Sequence, residues 1–237
     1  MKHFICSILS VLCVLLLFGC VGPKPYVYEP SKKIEQVNKI PLKLGIVPLK
    51  DERGMENKLQ FLCFFLPLVP YCEIDLERPE NFEGGSALGF KASDDFAKAF
   101  VEEIKQNNIF KDVFFTQNEN DINADIIMSG TIRTAKINQK ITFYGLTVVG
   151  DLLWLLGLPA GNMTTSLDLD YKINKLSDKT TIWNYTIKDS KERTSGIYYG
   201  KPEGIFEDMQ EILRKGLHAG VKKLNDDLKA SSFEAKK

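Results

Sequence analysis

Ser166-Leu-Asp-Leu-Asp-Tyr-Lys-Ile173 is the clearest strand in the chain. Leu167, Leu169, Tyr171 and Ile173 fall on one side of an extended backbone, and Ser166, Asp168, Asp170 and Lys172 on the other. Successive strand side chains point to opposite faces, so the alternation predicts one buried face and one solvated face. After a turn over residues 174–178, Thr181, Trp183, Tyr185 and Ile187 alternate again, which predicts an antiparallel hairpin.

The neighbouring segments extend this sheet. Ala124, Ile126, Met128, Gly130 and Ile132 lie on one face of a further period-two strand. Pro41 to Leu49 is apolar on both sides, as a central strand would be. Ser93-Asp94-Asp95 opens a helix: Ser93 is placed to cap, the carboxylates suit the positive helix end, and Phe96, Phe100 and Ile104 recur at helical spacing. Asn107-Asn108 closes it, and Ile109 to Thr116 is a short strand. Strand, helix and strand in this order permit a right-handed parallel crossover. Pro202 precedes a final helix whose Ile205, Met209, Ile212, Leu213, Leu217, Val221, Leu224 and Leu228 make one stripe. Gly216 and Gly220, near that stripe, would let the helix approach the sheet closely. The expected fold is therefore α+β: a mixed, mainly antiparallel sheet of about five strands packed by two main helices. It occupies one domain over residues 41–229, followed by a polar tail over 230–237.

At the amino terminus, Lys2 precedes an apolar run from Phe4 to Phe18 that ends in Leu17-Phe18-Gly19-Cys20. The run is shorter than the roughly 20 residues a membrane span needs, and no small-x-small cleavage site precedes Cys20 cleanly. The segment resembles the lipobox of bacterial lipoproteins. That resemblance implies a signal peptide over residues 1–19 and lipidation of Cys20, with a retained helix and plain secretion as the competing readings. Val21 follows Cys20 where an inner-membrane retention signal would resemble Asp, so the expected address is the outer membrane, on its periplasmic face. Residues 20–40 hold Pro23, Pro25 and Pro30 without a period and read as a flexible tether, reaching about 65 Å at 3.3 Å per residue.

The order of Leu44-Gly-Ile-Val-Pro-Leu-Lys-Asp51, a helix, Ala124-Asp-Ile-Ile-Met-Ser-Gly-Thr-Ile132, a long hairpin with Ile182-Trp183 and a terminal helix resembles a family of envelope lipoproteins. That family includes the curli-secretion channel lipoprotein, the lipoprotein activators of penicillin-binding proteins and the amino-terminal domain of TolB. The resemblance implies a mixed sheet with helices against it and a role in building or transporting envelope components without catalysis.

The whole chain carries 31 basic and 31 acidic side chains, and loss of Lys2 with the leader would leave a net charge of about −1. Such a balance offers no basic field for nucleic acid. Cys6 and Cys13 fall in the leader, which leaves Cys63 and Cys72 beside Cys20. In an oxidising periplasm a Cys63–Cys72 disulfide is expected, against two buried free thiols.

Two insertions do not suit a strand exposed on one face: Phe61 to Tyr71, and Phe143 to Pro159. Asp151, Gly145, Gly150, Gly157 and Pro159 argue against a lipid-exposed span in the second. The insertions could be buried in the core, dock a partner or dip into the bilayer, or wall a lipid-binding cavity. Phe64, Phe65, Leu153, Trp154 and Leu155 are the candidate contacts, and exposure of Phe65 and Trp154 separates these readings.

Other signals are weak. Gly84-Gly85-Ser86-Ala87-Leu88-Gly89 lacks the Lys and Ser or Thr of a P-loop. Asp168 and Asp170 could seat a cation or simply be solvated. His218 alone supports neither a zinc site nor a His-dependent triad, and reads as a surface or helix-end residue. Tyr198-Tyr199-Gly200 could form a binding rim or pack hairpin against helix. No catalytic, metal or cofactor residues are assigned. The expected function is a lipid-anchored, non-enzymatic envelope accessory protein with an envelope protein partner or further copies of itself. The alternative is a periplasmic carrier of lipid or another apolar ligand.

Overall fold

The computed structural model describes residues 27–35, 39–60, 63, 65–81, 90–200 and 206–230. Residues 1–26 with Cys20, the glycine-rich segment 84–89, Phe64 and residues 231–237 of the expected polar tail lie outside these residues, whereas Ala230 belongs to the last helix. Eight strands are described: β1 (Ile40–Ile46), β2 (Lys50–Asp51), β3 (Lys58–Leu59), β4 (Tyr71–Leu76), β5 (Phe110–Phe115), β6 (Ile126–Thr142), β7 (Gly161–Lys175) and β8 (Thr181–Ser195). Three α-helices accompany them: α1 (Ala92–Asn107), α2 (Asp151–Leu155) and α3 (Glu207–Ala230).

These counts correct the expected five strands and two helices. All eight strands join one mixed sheet built around β6, whose 17 residues carry three partner strands in succession along one edge. The first half of β6 runs parallel to β1 and β2, and its second half runs antiparallel to β4. Pro48 brings no N–H to the ladder, so β1 stops at Ile46 and the chain rejoins β6 at Lys50. Once the chain turns away after Asp51, the edge of β6 beyond it would be unpaired. Tyr71–Leu76 fills that edge, with Cys72 opposite Ile141 and Leu76 opposite Ile137. The other edge of β6 pairs with β7 along almost its whole length, and β7 with β8. β5 pairs parallel with β1.

The hairpin is longer than its apolar pattern, because backbone ladders do not require apolar side chains. Trp183 and Ile187 are buried on the helix side of β8. Farther along the same face, Lys191 and Arg193 meet acids of α3: Lys191 lies 2.7 Å from Asp208 and 2.5 Å from Glu211, and Arg193 pairs with Asp208. Two charged residues thus continue the inward-facing row beyond its apolar part.

Helices α1 and α3 cover this face. Phe96, Phe100 and Ile104 of α1 meet Leu213, Leu217, Val221 and Leu224 of α3 in one core with Met128, Leu169 and Tyr171 of the sheet. The expected close approach of α3 holds: a Cβ on Gly216 would lie 2.6 Å from Ile187, and one on Gly220 would lie 2.7 Å from the Tyr185 ring. Ser93 does not cap α1. Lys91 holds the cap position, and the Asp95 carboxylate accepts the Lys91 N–H at 2.8 Å. Asn108, in the left-handed region at φ 53°, ends the helix as expected.

Residues 27–35 do not hang free as the tether reading expected. The Tyr28 hydroxyl and the Ser31 N–H both donate to Glu103 Oε2 at 2.9 Å, and the Ile34 N–H donates to Asn107 Oδ1 at 2.8 Å. Tyr28 and Ile34 pack against the main core, so this segment is part of the domain.

Candidate functional site

The two apolar insertions meet at one end of the sheet. The first lies between β3 and β4, the second links β6 to β7, and antiparallel pairing places these junctions side by side. Cys63 and Cys72 are joined by a disulfide, with their Cα atoms 5.5 Å apart. The bridge closes the first insertion and packs with Phe143, Val69, Ile141 and Trp154 in a small core separate from the main one. Backbone bonds then fasten the insertions together: Phe143 and Tyr144 N–H groups donate to Pro70 O, and Leu68 N–H donates to Gly145 O at 3.0 Å. Gly145 has φ +77°, a conformation glycine adopts without strain, and a Cβ there would touch the Leu68 backbone at 3.4 Å.

Trp154 is a buttress of this unit. Its indole N–H donates to Thr142 O at 2.9 Å, and its ring centroid lies 5.6 Å from that of Phe143. Leu153 and Trp154 are half-buried, whereas Phe65 and Leu155 are exposed. A third loop supports the second insertion from the far strand. Tyr198 donates to Leu155 O at 3.0 Å, Tyr199 to Gly157 O at 3.4 Å, and Tyr144 to Pro159 O at 2.7 Å. The turn holding Tyr198 and Tyr199 is closed by the Gly196 N–H on Tyr199 O at 2.9 Å. Tyr198 and Tyr199 therefore brace an insertion rather than pack hairpin against helix.

What this scaffold presents outward is apolar. Phe65 is 73% exposed, Leu68 87% and Leu156 76%, with Leu66, Leu152 and Leu155 beside them in sequence and more than half exposed. Burying one Leu or Phe is worth about 1.5–3 kcal/mol, so several exposed together on one braced surface make it the candidate contact site. Asp151 is the one charged residue in 65–71 and 143–160. The sequence revealed each insertion but not their union, because the two are about 80 residues apart and meet only through the pairing of β4 with β6. A cavity of about 350 Å³ lies elsewhere, lined by Val27, Glu29, Glu207, Glu211 and Arg214 among others. Its charged walls do not suit an apolar ligand.

Apart from a small apolar cluster of Val47, Ala124 and Ile127, the opposite face of the sheet is polar and internally paired. Asp170 lies 2.5 Å from Arg133 and accepts the Thr186 hydroxyl at 2.6 Å, while Asp168 lies 3.8 Å from Lys188. These carboxylates serve cross-strand pairs. Among the described residues no group of three or more His, Cys, Asp or Glu is placed to hold a metal ion. A second polar cluster joins the loop after β2 to the end of β4. Arg53, whose side chain is 1% exposed, is held bidentately by Asp51 and also contacts Glu80, and Arg78 reaches Asp51 at 2.7 Å. Burial pushes the Asp51 carboxyl up, but the Arg53 hydrogen bonds and the two guanidinium charges outweigh it and hold Asp51 below its ordinary range. His218 is not a bare surface residue, since its Nδ1 lies 3.2 Å from the buried Glu103.

Comparison with known proteins gives a fold and no family. No family model matches the chain, and no curated protein does. Protein XCC0632 from Xanthomonas campestris, assigned to family DUF330, is similar in structure at TM-score 0.51 and 10% identity, over 89% of this chain and 96% of that one. The two share a fold. Weaker likenesses include a PelC dodecamer from Paraburkholderia phytofirmans (TM-score 0.38, 12% identity, 77% of this chain and 92% of that one). Another is lipoprotein GNA1162 from Neisseria meningitidis (TM-score 0.27, 11% identity, 78% of this chain and 99% of that one). No helix among the described residues is long and apolar enough to cross a membrane.

Proposed function

We propose that this chain is a lipid-anchored, non-enzymatic accessory protein of the cell envelope that works by binding, in envelope assembly or secretion. The observation that carries the reading is the apolar tip, a charge-poor surface locked by a disulfide and tyrosine hydrogen bonds, with its leucines facing outward. A surface braced in this way is suited to contact rather than to turnover. The lipobox pattern ending at Cys20 supplies the anchor, and the disulfide suits an oxidising compartment outside the cytoplasm. Acylation confines the domain to a membrane face, the periplasmic side of the outer membrane, and raises its effective concentration toward envelope proteins or further copies there.

Membrane fractionation of the native protein and its Cys20→Ser variant, with the mass of the amino-terminal peptide, tests the reading. A diacylglyceryl-modified Cys20 in the membrane fraction, lost with fractionation in the variant, supports it. Unchanged mass and distribution would refute it.

A further inference from the structure

We infer that the apolar tip enters the same membrane leaflet that holds the amino-terminal acyl chains, so that the domain attaches at two points; this rests on the lipid anchor proposed above. The path of the described amino-terminal segment carries the argument. From Ile34, bonded to Asn107, the chain runs back past Ser31, whose hydroxyl donates to Arg214 O, to Val27 beside Glu207, Gln210 and Arg214. It thus heads toward the amino-terminal end of α3. That end lies at the level of Arg193, which pairs with Asp208, and two residues on, Ser195 pairs with Gly161, where the second insertion re-enters the sheet. Val27 therefore sits on the tip side of the molecule.

Distances make this placement decisive. From Cys20 to Val27 the chain spans at most about 25 Å. The 17-residue β6 alone is about 55 Å long. An anchor at Cys20 holds the tip end near the bilayer and leaves the opposite end of the sheet out of reach of it. The chemistry of the tip matches that position. Its exposed side chains are Leu and Phe together with Tyr198 and Tyr199, and the Tyr144, Tyr198 and Tyr199 hydroxyls and the Trp154 indole N–H all donate to backbone carbonyls. Apolar side chains beside Tyr and Trp suit the hydrocarbon and headgroup levels of an interface.

Quenching by lipid tests the inference on the processed, acylated protein in vesicles of phosphatidylethanolamine and phosphatidylglycerol brominated on the acyl chain. Trp183, 6% exposed in the main core, is the internal reference, and Trp154→Phe identifies the contribution of the tip. Brominated lipid is expected to quench the native emission and to leave that of Trp154→Phe nearly unchanged. Leu68→Asp with Leu156→Asp, at exposed positions that leave the core intact, should remove at least half of the quenching while the protein stays vesicle-bound through Cys20. Acylated, vesicle-bound protein whose Trp154 is not quenched overturns tip insertion and leaves the anchor standing. Cross-links from tip to tip between copies, with Trp154 unquenched, overturn it too and assign the surface to a second copy. An unmodified Cys20 overturns the anchor, and two-point attachment with it, whatever the emission shows.

Discussion

The Tyr28 hydroxyl donates to Glu103 Oε2 at 2.9 Å, tying the chain eight residues beyond Cys20 to helix α1. Glu103 is fully buried and also accepts the Ser31 N–H. This junction sets where the amino-terminal segment leaves the domain.

Replacing Glu103 with Ala removes the acceptor of both bonds. A lost buried acceptor costs about 1–3 kcal/mol. Urea denaturation should show that loss, and hydrogen exchange should become faster across residues 27–35 than across β6 or β7. Tyr28→Phe, which removes one donor, should cost about 1 kcal/mol.

The Cys63–Cys72 bridge lies in its own small core with Phe143 and Trp154. A loop this short is stabilised by about 2–3 kcal/mol on closure. Reduction, or Cys63→Ser with Cys72→Ser, should therefore loosen residues 63–72 and 143–160 first. Near-ultraviolet circular dichroism should lose its Trp154 contribution while far-ultraviolet helix signal persists, since α1 and α3 belong to the main core.

Acid should weaken the contact between β8 and α3. Hydrogen bonds from Lys191 and Lys215 hold the Glu211 carboxyl down from 4.5 to about 2. Burial pushes the Asp208 carboxyl up, but hydrogen bonds from Arg193 and Lys191 outweigh it and hold Asp208 below its ordinary range. Both groups take up protons more readily in the unfolded chain, so their stabilisation is complete above about pH 4.5 and is lost as pH falls toward 2. Denaturation midpoints measured down this range should drop, and Glu211→Gln should flatten the dependence.

Gly216→Ala should destabilise the fold despite alanine's better helix propensity. The new Cβ would sit 2.6 Å from the buried Ile187, and overpacking costs about 1–3 kcal/mol against about 1 kcal/mol gained in propensity. Gly130→Ala should be worse, because its Cβ would meet the Asp170 carbonyl oxygen at 2.2 Å in the β6–β7 ladder, where backbone cannot yield. Thermal melts of the two variants should rank in that order.

Much of the domain was legible as local periodicity. Leu167 to Ile173, Trp183 to Ile187, Phe96 to Ile104 and Met209 to Leu224 all show the pattern that burial of one face imposes. Tyr71-Cys-Glu-Ile-Asp-Leu76 also alternates, yet its place depended on the free edge of β6, which no local pattern announces. Within the tip, the helical turn of α2 sends Leu152 and Leu155 outward and Trp154 toward Phe143, a division that composition alone does not make.

Residue order alone established the two interleaved periods of strand and helix, the pair of thiols, the near-zero charge and the presence of two apolar segments, because each is a property of neighbours along the chain. Folding in space settled that those segments form one tip, that Cys63 bonds Cys72 within it, and that residues 27–35 run over α1 toward the amino-terminal end of α3. These are contacts between residues tens of positions apart, fixed by sheet register and side-chain packing.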